Sequence, residues 1–302
     1  MNKSGLESNG FILPEVNQDK ILPEYRSIIN ASIAALKATL PGVVHSVYVY
    51  GSVARGNAVP GKSDLDLLVV FKRKLAQEEQ NALEALQESL SSQYKALVRE
   101  VGIADATCTY DEMVDPANKY GWGAYLKILC VCVDGEDLTK RFEKFKISPD
   151  IAIGFNGDAS KAIQNAIEKI TNAKTDEEVA KATAIVGRKL IRTCYMMVMT
   201  RAQVWTTKLG EQAELFVQYF PEKQELIHTL QSWVDTSPTN KEDVLKVLRA
   251  DCQWVADNFE VEAKKSQDEA NGMNFTEAVK IMANTPPITN EEIIKHSKKR
   301  KN

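Results

Sequence analysis

This sequence has no long apolar runs, a small net charge and few histidines. No apolar run approaches the length of a membrane-spanning helix, so we expect no transmembrane segment. The formal net charge is only −3, which creates no general field for a polyanion, and nucleic acid is therefore not an expected partner. The three histidines, His45, His228 and His296, are scattered, which argues against a zinc site or a histidine-based triad.

Cysteine is also scarce, and its spacing follows no pattern. The five cysteines are an odd number, and Cys130 and Cys132 have no second Cys/His pair at the spacing of a zinc site. Free thiols in a reducing compartment are the expected interpretation. The stretch from Met1 to Gln18 is mostly polar, and its apolar cluster is too short for a signal core. We therefore expect a cytoplasmic protein.

The chain is long enough for two domains, and its texture changes near residue 147. Before that point, helical periodicity alternates with β-branched and aromatic runs such as Val43–Tyr50 and Leu65–Phe71. After it, strand signals nearly vanish and helical patterns follow one another. We predict a flexible N-terminus (1–20), a mixed α/β domain (21–147), a helical bundle domain (148–262) and a polar tail with one weak helix (263–302).

The most informative motif is Gly51-Ser52 at the end of the first strand, followed by Asp64-Leu65-Asp66 at the start of the next. Because side chains alternate along a strand, both carboxylates should lie on one face and Leu65 on the other. Two carboxylates that close repel each other unless a cation lies between them, and Mg²⁺ prefers such oxygen ligands. A small turn nearby lets backbone N–H groups approach a phosphate. The pattern predicts phosphoryl or nucleotidyl transfer.

Nucleotidyl transfer also needs an activated oxygen nucleophile, for which a third carboxylate is a candidate. Asp105 is the best choice, because it interrupts an apolar strand where an unpaired charge would be costly. Glu100, Asp111 and Glu112 are alternatives, but they lie at a strand end or beside Arg99, where a solvated acid is the simpler interpretation.

These residues resemble the signature of the nucleotidyltransferase superfamily. The resemblance implies an α+β fold, in which a polymerase-β-like domain with a mixed sheet precedes an all-α helical bundle. It also implies that Gly51 and Ser52 contact the triphosphate and that Asp64 and Asp66 bind Mg²⁺. By the same match, Asp105 is the third acid, with roles in catalysis and in metal binding.

A fainter resemblance, to about residue 260, is to the aminoglycoside adenylyltransferases of the streptomycin/spectinomycin type. It rests on the helix Arg188–Tyr195, on Phe220-Pro221 and on the turn Val133–Leu138. This resemblance implies transfer of AMP from ATP to a hydroxyl of a small, aminoglycoside-like acceptor, with release of pyrophosphate, and hence antibiotic resistance. The sequence departs from that family in its long C-terminal tail, in the segment 200–210, and in an Asp at position 105 where Glu is usual.

Several basic residues could add to the site. Arg55 follows the Gly-Ser turn and could bind a phosphate bidentately, or could face solvent. Arg188 and Arg192 are one helical turn apart on an otherwise apolar helix, so they could line a cleft between the domains or extend from the bundle surface into solvent. Lys208 is a candidate triphosphate contact from the second domain.

The acceptor is less well defined by the sequence. A cationic acceptor would need an acidic, aromatic cleft, to which Trp122, Tyr125, Glu211 and Glu214 could contribute. Two alternative functions stay open: a protein adenylyltransferase of the antitoxin type, and a non-catalytic relative that only binds nucleotide. The sequence leaves the base preference and the oligomeric state open as well.

Overall fold

The structure is a computed structural model that describes residues 5–103 and 107–265. A mixed β-sheet with helices on both faces is followed by a region of helices only, which confirms the predicted α+β fold class. Asp105 and the weak helix expected near residues 276–283 lie outside the described residues. None of the described helices is long and apolar enough to cross a membrane.

Five strands form the sheet within the described residues: β1 (Val44–Tyr50), β2 (Leu65–Phe71), β3 (Val101–Gly102), β4 (Thr107–Thr109) and β5 (Val131–Gly135). The order is β3-β2-β1-β5, with β4 also paired to β2. β1 runs antiparallel to β2 and β5, whereas β3 and β4 run parallel to β2. β2 is therefore central and covered on both faces, as its nearly continuous apolar sequence predicts.

The first part of the chain holds the helices α1 (Pro23–Thr39), α2 (Gly51–Arg55), α3 (Gln77–Gln93), α4 (Tyr110–Val114) and α5 (Ala124–Leu129). Short 3-10 helices span Gln18–Lys20, Pro116–Asn118 and Leu138–Arg141, and a π-helical turn spans Lys119–Gly123. The apolar run 128–133 divides between two elements, because Ile128 and Leu129 end α5 and the strand begins at Val131. A continuous apolar run alone does not distinguish a buried helix from a buried strand.

The second part consists of α6 (Pro149–Asn156), α7 (Ala159–Asn172), α8 (Asp176–Ala202), α9 (Leu209–Tyr219), α10 (Gln224–Asp235) and α11 (Lys241–Ala263), with a 3-10 turn at Pro221–Lys223. α8 is central and packs against the other long helices. It begins with a capping box, in which the Thr175 hydroxyl accepts from Glu178 N–H and the Glu178 carboxylate accepts from Thr175 N–H. It ends at Gln203, whose φ of +51° is left-handed.

The apolar core has three parts. One lies between one face of the sheet and helices α1 and α3, and a second covers the opposite face around Tyr48 and Leu68. The third and largest is the interior of the helical region, built around α8. Leu6 and Ile12 belong to this third core although they precede the sheet in the chain.

The segment before α1 contacts both parts of the molecule. Ile12 N–H donates to the Phe145 carbonyl, and the Thr207 hydroxyl donates to the Glu15 carboxylate. Further along, Asn17 N–H donates to the carbonyl of Ala54 in α2. Residues 5–20 therefore contact both the sheet and the helices, although only Leu6 and Ile12 among them are buried. The flexibility expected for this N-terminal segment stays a prediction.

Candidate active site

The turn between β1 and α2 requires glycine at its first position. Gly51 has a φ of +69°, a region that L side chains seldom adopt. A Cβ at this position would also come within 2.0 Å of the Asp66 Oδ2 atom. The absence of a side chain therefore lets the turn lie directly against the carboxylate, with half-buried Ser52 next in sequence.

Register places the two predicted carboxylates at this same edge of the sheet. Asp66 pairs with Tyr50, the last residue of β1, and on its other side with Gly102. Asp64 immediately precedes β2, and Leu65 between them is fully buried on the opposite side. Burial, followed by the repulsion of Asp64, raises the pKa of Asp66 to about 6. The structure thus brings together the residues that the motif predicts.

Arg99 binds Asp64 through two parallel hydrogen bonds. Arg99 Nε donates to Asp64 Oδ1 at 3.0 Å, and Nη2 donates to Oδ2. Asp64 lies just before β2 and Arg99 lies just before β3. Because these two strands pair in parallel, their preceding residues lie side by side and the ion pair can form. The sequence drew attention to Arg99 only as a neighbour of Glu100, since a single arginine in a polar stretch carries no signal of its partner.

Three further arginines lie around the carboxylates: Arg55 from α2 and Arg188 and Arg192 from α8. Arg55 and Arg192 are close enough that their charges partly offset the raised pKa of Asp66. Desolvation lowers the pKa of Arg192 although the side chain is exposed, as expected for a group that lines a cleft. Among the described residues, none of these three arginines has a carboxylate at salt-bridge distance. Of the two interpretations left open for Arg188 and Arg192, the structure supports a cleft beside the acidic pair.

An aromatic row joins the sheet to the helical region beside this cleft. The ring of Tyr125 lies 5.6 Å from that of Tyr50 and 6.0 Å from that of Phe155, and Phe155 lies 6.2 Å from Trp205, centroid to centroid. Burial raises the pKa of the Tyr125 phenol well above its ordinary value. The helical region is therefore anchored against the sheet next to Asp66.

The two remaining predicted site residues are Lys208, which the structure does not bring to the acidic pair, and Asp105. Lys208 is exposed, and its ammonium group binds the Glu211 carboxylate at 2.7 Å. The charges that act on it are those of Glu211 and Glu15, not those of the acidic pair. Asp105 is outside the described residues. Within the described ranges, no group of three potential ligand side chains is arranged to hold a metal ion.

The chain carries a nucleotidyltransferase domain, because residues 31–120 match the family model of that name. This span includes the Gly-Ser turn, both carboxylates and Arg99, and it places the protein among the transferase enzymes.

The fold is also similar to a crystal structure of spectinomycin adenyltransferase AAD(9) from Enterococcus faecialis with ATP and spectinomycin. The identity is 15% and the TM-score 0.45, over 79% of this chain and 99% of the other. No curated protein matches the chain.

Proposed function

We propose that this enzyme is a Mg²⁺-dependent adenylyltransferase that moves AMP from ATP to a hydroxyl of a small acceptor and releases pyrophosphate. The observation that carries the proposal is the position of Asp66 directly against the Gly51 turn, with the charge of Asp64 close to it. We also propose that residues 21–147 and 148–262 act as two domains, with the reaction taking place between them.

The donor set fits a divalent cation. Both carboxylates supply hard oxygen ligands, and burial, followed by the charge of Asp64, raises the pKa of Asp66, so a cation beside it would stabilise the ionised form. Asp64 and Asp66 would hold Mg²⁺, and Asp105 is proposed as a third ligand. When bound, Mg²⁺ would neutralise charge on the triphosphate and favour in-line displacement.

The triphosphate would lie between the Gly-Ser turn and α8. Ser52 and the N–H groups of its turn are proposed to bind phosphate oxygens. The guanidinium groups of Arg55 and Arg192 lie near Asp66 and near each other, and they lack carboxylate partners in the described part of the chain. A guanidinium binds phosphate through parallel hydrogen bonds. Lys208 is proposed as a further phosphate contact, for which its bond to Glu211 would have to open.

The acceptor would be activated by a carboxylate. Asp105 is proposed to take the proton of the acceptor hydroxyl as that oxygen forms a bond to the α-phosphorus. The bond from the α-phosphorus to the bridging oxygen breaks, and pyrophosphate leaves with the electron pair. The aminoglycoside-like acceptor implied by the sequence resemblance stays a prediction.

The test is mass spectrometry of reactions that contain the protein, ATP, Mg²⁺ and a panel of hydroxylated acceptors, including aminoglycosides. Asp66→Asn should remove the gain of one AMP, whereas Asp235→Asn, at the exposed end of α10, should not. Near-normal turnover by Asp66→Asn would contradict the assignment of the site. If MgATP binds but no small molecule is modified, protein acceptors and a nucleotide-binding role without turnover become the alternatives to pursue.

A further inference from the structure

Residues 15–17, which precede α1, connect the loop before α9 to helix α2. The Thr207 hydroxyl donates to Glu15 Oε2 at 2.5 Å, and Thr207 N–H donates to Glu15 Oε1 at 3.4 Å. Asn17 N–H in turn donates to the carbonyl of Ala54 in α2 at 3.2 Å. These three residues therefore form a link between the helical region and the sheet, which we call the N-terminal bridge.

The N-terminal bridge is short and is held from two directions. Because an extended chain spans about 3.3–3.6 Å per residue, the Cα atoms of Glu15 and Asn17 are at most about 7 Å apart. Val16 between them packs against the core that lies between the sheet and helices α1 and α3. Lys20 Nζ donates to the Glu15 carbonyl at 2.5 Å, which adds a second hold on the main chain. A shift of the loop away from α2 must therefore break one of these contacts.

The loop 204–208, at the other end of the bridge, is also held by its own domain. Thr206 N–H donates to the Tyr195 hydroxyl at 3.2 Å, and Gln212 Nε2 donates to the Thr206 carbonyl at 2.7 Å. Glu15 adds a carboxylate just before the first turn of α9, where the helix dipole favours a negative charge. The bridge thus reaches a loop whose main chain is already ordered by the helices behind it.

The bridge connects two elements that are both proposed to bind the triphosphate, one from each proposed domain. α2 carries Ser52 and Arg55, and the loop 204–208 ends at Lys208. Lys208 follows Thr207 directly in the chain, so the position of its main chain relative to α2 depends on the hydrogen bonds between Thr207 and Glu15. One carboxylate thereby controls the spacing between the two sets of phosphate contacts.

We propose that Glu15 is a positioning residue for the nucleotide: by holding Thr207 close to α2, it places Lys208 where its ammonium group reaches an outer phosphate of ATP. The inference rests on the proposed function and adds a residue to its nucleotide site. Glu15 itself does not bind the nucleotide, because a carboxylate repels phosphate, so it acts through Thr207 and Lys208. A loop that is held in place before ATP arrives loses less conformational freedom when Lys208 exchanges Glu211 for phosphate.

The experiment is isothermal titration calorimetry of the full-length protein with MgATP and with AMP, which requires no knowledge of the acceptor. Glu15→Ala should raise the Kd for MgATP about three- to tenfold, as loss of a hydrogen bond predicts. The Kd for AMP should stay within about twofold of the parent, because AMP lacks the outer phosphates that Lys208 would contact. Glu7→Ala is the matched control and should change neither Kd, since Glu7 belongs to the same N-terminal segment but pairs with Lys144 at 2.6 Å.

Variants of the partner residues identify the path through which Glu15 acts. Thr207→Val should weaken MgATP binding as much as Glu15→Ala, and the double variant should be no weaker than either, because all three remove the same hydrogen bond. Glu15→Gln and Thr207→Ser retain an acceptor and a hydroxyl, so both should bind MgATP within about twofold of the parent. In a Lys208→Ala background, Glu15→Ala should cause no further loss.

Several results would overturn the proposal. MgATP binding that is unchanged or tighter in Glu15→Ala would show that its carboxylate does not position a phosphate contact. Equal losses of MgATP and AMP affinity would assign it a merely structural role, and losses that add in the double variants would exclude action through Thr207 or Lys208. If Glu15→Ala does not fold, Thr207→Val decides the same question. Lack of MgATP binding by the parent protein would instead overturn the proposed function itself.

Discussion

Arg99 and Asp64 form a two-point ion pair in which the carboxylate proposed to bind Mg²⁺ is already bound by a guanidinium. The Nε–Oδ1 distance is 3.0 Å, and Nη2 donates to the second oxygen. The side chain of Arg99 is 61% exposed and that of Asp64 is 26% exposed. Because such a pair near the surface contributes only about 0–1 kcal/mol, Arg99 can leave Asp64 at little cost when a divalent cation binds.

The first prediction is that Arg99 competes with the metal. Arg99→Gln should lower the Mg²⁺ concentration for half-maximal MgATP-dependent activity by about two- to fivefold, the range expected from losing a pair of this strength. A Mg²⁺ titration of the initial rate measures it. Arg73→Gln is the matched control, since Arg73 forms a two-point pair with Glu79 in which both distances are below 3 Å and no proposed ligand takes part. A higher Mg²⁺ requirement in Arg99→Gln would contradict competition.

The second prediction concerns the stability cost of the buried carboxylate. Burial raises the pKa of Asp66 to about 6, so the folded state binds its proton more tightly than the unfolded chain does. Ionised Asp66 therefore destabilises the metal-free protein increasingly as the pH rises from about 4 to about 6, and fully above that. Asp66→Asn should raise the free energy of unfolding by about 1–3 kcal/mol at pH 8 in EDTA, and by little at pH 4.

Urea denaturation of both proteins across this pH range, without metal, measures the effect. The gain should shrink when Mg²⁺ is added, because the cation stabilises the parent carboxylate and not the amide. An Asp66→Asn protein that is equally stable, or less stable, at pH 8 would show that the charge of Asp66 is already well compensated.

The third prediction separates backbone strain from crowding at the turn. Gly51 and Gly42 both have a positive φ, +69° and +76°, but only Gly51 has Asp66 where a Cβ would lie. Gly42→Ala should cost about 1–2 kcal/mol of stability from the left-handed conformation alone. Gly51→Ala should cost about 1–3 kcal/mol more, as an overpacked site does, and should remove most activity by displacing the carboxylate. Denaturation and steady-state rates of the two variants decide this, and equal losses in both would contradict it.

The fourth prediction concerns a buried ion pair away from the site. Arg201 Nη2 lies 3.1 Å from Glu262 Oε2, with exposures of 9% and 11%, and the guanidinium also lies over the rings of Tyr219 and Phe220. Arg201→Ala would leave Glu262 buried with Lys265 as its one cationic partner among the described residues, so we expect a loss of about 3–5 kcal/mol. The double variant Arg201→Met/Glu262→Leu should recover most of it, since an apolar pair leaves no buried charge unpaired. Chemical denaturation of the three proteins measures both effects, and a double variant as unstable as Arg201→Ala would contradict the account.

Local patterns predicted much of the fold. The strand Leu65–Phe71 has the predicted bounds, and the chain after residue 147 is helical, as its periodicity predicts. The secondary structure of the run 128–133 could not be predicted in the same way, because a short apolar stretch suits a buried helix and a buried strand equally well. In the structure its first residues end α5 and its last residues belong to β5. Arg188 and Arg192 show the same limit, since helical spacing places them on one face but does not reveal what that face contacts.

The sequence by itself determined the acidic pair and its turn. The two-residue period of a strand places Asp64 and Asp66 on one side, and only glycine suits the conformation at position 51, so a few neighbouring residues suffice. The tertiary structure alone decided which cations surround that pair. Arg99 reaches Asp64 through the parallel pairing of β2 and β3, and α8 brings Arg188 and Arg192 in from more than a hundred residues away along the chain. The periodicity of a sequence does not predict contacts of this kind, because they depend on how the buried faces of distant elements pack together.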